Sequence, residues 1–150
     1  RAGADSLHTH KSTLQDLKDV ADICHKYGML VDAYIAHPAD RHLFGVPAET
    51  PDQVAEIAKG MQDVGVDFIG LMTGMSYEGV AAGEIPGVVR QRLEAMIKSV
   101  SVPTLAEGGI NAVNFKAFIG TGVNILVVGT AFDDIARKAV EQTVETFLQR

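Results

Sequence analysis

Apolar residues recur along the chain in two alternating rhythms: short dense runs, and longer stretches with apolar positions three and four apart. A dense run reads as a strand buried on both faces, and the three-and-four spacing reads as a helix with one apolar side. Residues 6–10, Ser-Leu-His-Thr-His, form the first candidate strand. Ser12 or Thr13 then caps a helix to about residue 27, with Leu14, Leu17, Val20, Ala21, Cys24 and Tyr27 on one side and Gly28 at its end. Residues 29–36 are a second strand. After a punctuated loop at 37–45, Thr50-Pro51 opens a helix whose apolar face is Val54, Ile57, Ala58 and Met61. Residues 68–72 make a third strand, and a glycine-bearing connection at 73–83 leads to a helix over about 86–100. A strand from residue 103, a helix over about 111–120, a strand at 125–128 and a helix over about 133–147 complete five strand–helix pairs.

A short pattern punctuates this alternation. Gly3-Ala4-Asp5, Gly65-Val66-Asp67 and Gly122-Val123-Asn124 each set a helix-ending glycine and a short polar residue before a strand. Their starts lie about 60 residues apart, two strand–helix units per period. Strands joined by helical crossovers run parallel, so the fold class is α/β, and either a doubly wound sheet or part of an eight-stranded barrel satisfies the pattern. Ligands bind at the carboxyl ends of the strands in both. There, Gly108-Gly109 and Gly129-Thr130 each lie between an apolar run and a helix. Backbone amides without a Cβ in the way, beside helix starts, suit a phosphate. Two such turns on successive strand ends favour the barrel. Gly-x-Gly-x-x-Gly after the first strand and Gly-x-x-x-x-Gly-Lys-Ser/Thr are both absent.

Composition narrows the partners. The 150 residues are 47% hydrophobic with net charge −6 and scattered basic side chains, so neither nucleic acid nor an anionic membrane is expected as partner. Cys24 sits on the apolar side of its helix and reads as a core residue. There is no membrane-length apolar run and no visible signal peptide, so the expected compartment is cytoplasmic.

Several segments resemble the ribulose-phosphate-binding barrels, most of all 3-hexulose-6-phosphate synthases and 3-keto-L-gulonate-6-phosphate decarboxylases. They are Ala2-Gly3-Ala4-Asp5, His25-Lys26-Tyr27-Gly28-Met29-Leu30-Val31-Asp32, Gly65-Val66-Asp67-Phe68-Ile69, Thr73-Gly74, Ala81-Ala82-Gly83, Gly108-Gly109-Ile110 and Val127-Val128-Gly129. The resemblance implies a TIM (β/α)8 barrel. Residues 1–150 would form one domain covering its last five units, strands four to eight. It implies an aldehyde-lyase that takes a proton from ribulose 5-phosphate and adds formaldehyde to a magnesium-stabilised enediolate. The family's third-strand Asp-x-Lys-x-x-Asp has no counterpart here, and Met72 stands where the family usually has histidine. Glu107 takes the place of a small residue in the synthases, a position at which sugar-phosphate epimerases have a carboxylate.

Phosphate contact is therefore expected at Gly108, Gly109, Gly129 and Thr130, with Thr73 and Gly74 along the sugar. Glu107, pointing inward, is the expected base for a proton beside a carbonyl. Asp32 lies within an apolar strand, where a carboxylate needs a partner, and is a second catalytic candidate. His8 and His10 share a strand face. His-x-His can ligate a metal, but one buried histidine beside a strand-end histidine is the favoured reading, with His10 the better functional candidate. His37 and Lys138 read as solvated. Two alternatives remain open: an epimerase using Glu107, and a phosphate-binding partial barrel without catalysis. Five strands cannot close an eight-stranded barrel, so its open edges and interior call for a second chain, as in a dimer.

Overall fold

The computed structural model describes residues 3–38, 44–75 and 84–148. The elements in order are β1 (Ser6–Thr9), α1 (Leu14–Lys26), β2 (Leu30–Ala36), β3 (Val46–Pro47), α2 (Pro51–Asp63), β4 (Phe68–Met72), α3 (Gly87–Ser99), β5 (Thr104–Glu107), α4 (Phe115–Ile119), β6 (Ile125–Val127) and α5 (Thr130–Leu148). All strand pairs are parallel, in the order β1-β2-β4-β5-β6, with β3 pairing β2 off this path.

That order follows the chain. Each crossover steps one strand in the same direction, and right-handed connections then put the connecting helices α1 to α4 on one face. A doubly wound sheet would reverse direction midway. The sheet is therefore an arc of a barrel wall.

Its helix-facing residues alternate with inward ones. Val31, Ala33 and Ile35 of β2, Ile69 and Leu71 of β4 and Ala106 of β5 are buried; most pack with Leu17, Val54, Met61, Leu93, Met96 and Phe118 in one core. Cys24 belongs to a small satellite cluster with Ala21 and Val31.

The local signals account for most boundaries. Thr13 caps α1 by accepting a hydrogen bond from the Asp16 amide. Thr50 and Gln53 form a reciprocal capping box on α2. Gly28 and Gly65, just past α1 and α2, have φ of +72° and +95°, which a side chain would strain.

The polar residue of the repeated motif fastens the neighbouring strand. Asp67, before β4, accepts the Val31 amide at 2.8 Å, and Asn124, before β6, accepts the Thr104 amide at 2.8 Å. Asp67 also meets His25 Nε2 at 2.8 Å.

Four boundaries depart from the sequence reading. The first strand stops at Thr9, one residue short of His10. The two-residue β3 falls between the loop read at 37–45 and the helix start at Thr50, where no strand was read. The fourth helix starts at Phe115, not near residue 111, because the Asn111 side chain accepts the Val113 and Asn114 amides and folds that stretch into a turn. The last helix starts earlier, at Thr130, where the Gly129 carbonyl accepts the Phe132 amide.

Helix α5 has no buried residue, and Phe132, Ile135, Val140, Val144 and Phe147 are exposed. Among the described residues no helix is long and apolar enough to cross a membrane. Ala81-Ala82-Gly83, part of the 37–45 loop and most of the 73–83 connection fall outside the described residues.

Asp67→Ala should lower stability by about 1–3 kcal/mol, the cost of leaving a buried strand amide unpaired. The check is a lower urea midpoint at unchanged slope.

Candidate functional site

With the connecting helices on one face, the other face of the sheet carries the inward residues in register rows. His8 pairs with Asp32 and Asp32 with Phe68; one step toward the carboxyl ends, Tyr34, Gly70 and Leu105 align; one step further, Met72 and Glu107. This face lines an open cleft of about 430 Å³, walled by Ser6, His8, Asp32, Tyr34, Glu107 and apolar residues of β4 to β6.

Two polar clusters lie in it. Asp32 Oδ2 is 2.5 Å from His8 Nδ1, and His8 Nε2 is 2.6 Å from His10 Nε2. The carboxylate expected to need a partner inside β2 has one. Neither histidine is buried, contrary to the favoured reading of one buried ring, because β1 is the edge strand and its inward face meets the open cleft. His10 stacks obliquely on Phe44 at 4.5 Å between ring centroids.

The second cluster depends on Gly70. A Cβ there would come within 2.3 Å of the Tyr34 ring, so its absence lets the ring cross β4 toward β5. The phenol meets the Glu107 carboxylate. Burial first, then the Glu107 charge and hydrogen bond, raise the Tyr34 pKa far above its ordinary value, so the phenol keeps its proton and serves as donor. His8 and Tyr34 touch edge-on at 5.0 Å, joining the two clusters.

Beyond Glu107 the chain turns through Gly108 and Gly109, with φ of +103° and +65°. Thr73 is buried, and its hydroxyl donates to the Gly108 carbonyl at 2.5 Å while accepting the Met75 amide. It thus ties the end of β4 to the glycine turn, with Gly74 next to it. Asn114 Nδ2 donates to the Gly109 carbonyl from the other side.

Gly129 differs from both. Its φ is not in the left-handed region and a Cβ would meet nothing within 4 Å, so neither backbone shape nor packing calls for glycine there. Thr130 follows as the first residue of α5.

The structure thus gathers Glu107, Asp32 and His10 along one face and sets Gly108, Gly109, Thr73 and Gly74 together at its rim. Gly129 and Thr130 follow β6, the neighbouring strand. His37 lies past the end of β2 and Lys138 on α5.

Tyr34 was not singled out from sequence, and His8 was weighed only with His10, as a His-x-His pair. The signals were present: Tyr34 is two residues from Asp32 on the same strand face, and a glycine inside a strand marks a close approach. Magnesium prefers a set of oxygen donors. Among the described residues no three His, Cys, Asp or Glu side chains are placed to hold an ion, and Asp32 and Glu107 belong to separate clusters.

Comparison with known proteins bears on the fold. No family model matches the chain. Over 100 residues it is 31% identical to a phosphoribosyl-bearing imidazole-4-carboxamide isomerase of Methanosarcina acetivorans, covering 66% of this chain and 37% of that one. A mutant tryptophan synthase α-subunit from Pyrococcus furiosus superposes with TM-score 0.67 at 18% identity, over 91% of this chain and 49% of that one. The YdjI aldolase from Escherichia coli K12 does so with TM-score 0.60 at 23% identity, over 93% and 51%. The chain spans about half the length of these structures and a smaller share of the isomerase. Together with the one-directional parallel sheet, these matches identify the described fold as part of a (β/α)8 barrel.

Proposed function

We propose that this chain carries the phosphate-binding side of a sugar-phosphate enzyme that moves a proton on the carbon beside a carbonyl. One observation carries the reading: Glu107, with the Tyr34 phenol in the same cleft, lies one residue before the Gly108-Gly109 turn. A substrate held there by its phosphate would present its sugar carbons to a carboxylate. Gly108, Gly109, Gly129 and Thr130 would supply amide and hydroxyl donors, and binding energy from that remote group would align the reacting carbon. Tyr34 orients the base.

The finer form of the proposal is an aldehyde-lyase of the 3-hexulose-6-phosphate synthase type. Glu107 takes a proton from ribulose 5-phosphate, and the enediolate adds formaldehyde. The phosphoribosyl group in the name of the isomerase relative supports a sugar phosphate as ligand class. The Glu107–Tyr34 pair equally favours an epimerase, since both reactions begin with the same proton removal. The resemblance implies magnesium, for which no set of three His, Cys, Asp or Glu ligands is placed among the described residues. A homodimer would cover the apolar face of α5 and the open edges of the sheet.

In heavy water, ribulose 5-phosphate should gain deuterium at the carbon beside its ketone. Glu107→Gln should slow that exchange about 100-fold or more while phosphate still binds. Product analysis separates the two forms: a hexulose phosphate when formaldehyde is added marks the lyase, and an epimeric pentulose phosphate marks the epimerase. Absence of exchange from the wild-type protein under any metal condition would sink the proposal.

Gly129→Ala tests the phosphate position. Stability should stay within about 1 kcal/mol of wild type, because the conformation suits alanine and the space is open. Binding of inorganic phosphate, followed by calorimetry, should weaken about tenfold through loss of a close amide contact. Unchanged affinity would place the phosphate elsewhere.

A further inference from the structure

His8 is more fully engaged than any other side chain of the cleft. A carboxylate only accepts, so Asp32 fixes a proton on His8 Nδ1. Between His8 Nε2 and His10 Nε2, 2.6 Å apart, there is room for one hydrogen, carried by one ring and accepted by the other. The three side chains form a continuous path, Asp32–His8–His10, running from β2 across the edge strand β1. His8 has 42% of its side chain exposed and lines the same cleft as Glu107, so the path opens onto the volume a substrate would fill.

We propose that His8 is the second proton-transfer group of this cleft, acting on the substrate's carbonyl oxygen while Glu107 acts on the adjacent carbon. The inference rests on the sugar-phosphate reading above and adds to it the missing acid. Removing a proton from carbon sends the C–H electron pair into a new C=C bond and the carbonyl π pair onto oxygen. That oxygen then takes the Nε2 proton of the His8 imidazolium, whose charge Asp32 balances. Glu107 ends protonated, His8 ends neutral with Nδ1–H still on Asp32, and the product is a neutral enediol. For this step the carbonyl oxygen takes the place of His10 Nε2 at His8. His10, which is exposed, afterwards takes a proton from solvent at Nε2 and passes it to His8 Nε2 through the same contact. Asp32 is a positioning residue, acting through His8.

The test uses ribulose 5-phosphate exchange in heavy water, with inorganic phosphate binding as a measure of intact fold. His8→Gln should slow exchange about 100-fold with phosphate affinity unchanged. Added imidazole should restore exchange to His8→Ala and not to Glu107→Gln. Asp32→Asn should slow exchange less, and nitrogen NMR of the ring should show a His8 with both nitrogens protonated giving way to a ring with one N–H. Wild-type exchange with His8→Gln within about threefold of it would overturn the role of His8 and leave the enolisation reading standing. Absence of wild-type exchange would overturn both. Should His8→Gln not fold, Asp32→Asn decides: unchanged exchange and unchanged protonation of both ring nitrogens would exclude the relay.

Discussion

Every crossover in this chain steps the same way along the sheet, and that constraint shapes the rest of the molecule. Right-handed β-α-β connections that never reverse place the connecting helices on one side. That side becomes the core, close-packed around Leu17, Ile35, Val54, Ile69, Leu71 and Leu93. The other side receives no helix, and its side chains are left for chemistry.

On that bare face, polar groups survive because each has a partner. Asp32 meets His8, His8 meets His10, and Tyr34 meets Glu107. An unpaired carboxylate beside so much apolar surface would be costly. Pairing also orients. The Asp32 carboxylate fixes which His8 nitrogen faces the cleft, and Tyr34, its pKa raised by burial and by Glu107, remains a donor to that carboxylate. Gly70 makes the second pair possible, since any side chain there would occupy the space of the Tyr34 ring. One missing methyl group thus links β2 to β5 across β4.

The repeated Gly-x-Asp/Asn motif serves the other end of the strands. Its glycines Gly65 and Gly122 lie just past α2 and α4, and Asp67 and Asn124 hold the Val31 and Thr104 amides at the starts of the adjacent strands. Register is fixed at the amino ends in this way, which sets His8 opposite Asp32 and Glu107 beside Met72 at the carboxyl ends. Fastening and function are at opposite ends of the same strands.

The alternation of dense apolar runs with three-and-four spacing determined the order of strands and helices, since local burial and capping leave direct marks on the residues involved. Thr13, Thr50 and the glycines after α1 and α2 showed where helices begin and end. The glycine turn after β5 was legible for the same reason, whereas Gly129 after β6 sits in a backbone that does not require glycine. Asn111 was misjudged because a side chain that accepts backbone amides competes with the helix it precedes, and the apolar pattern does not report that competition. The pairing of His8 with Asp32, 24 residues apart, and of Tyr34 with Glu107, 73 residues apart, was not legible. Sequence gives the face on which a residue lies in its own strand. Which strands become neighbours, and with what stagger, is decided only when the sheet assembles, because inter-strand register depends on contacts between segments distant along the chain.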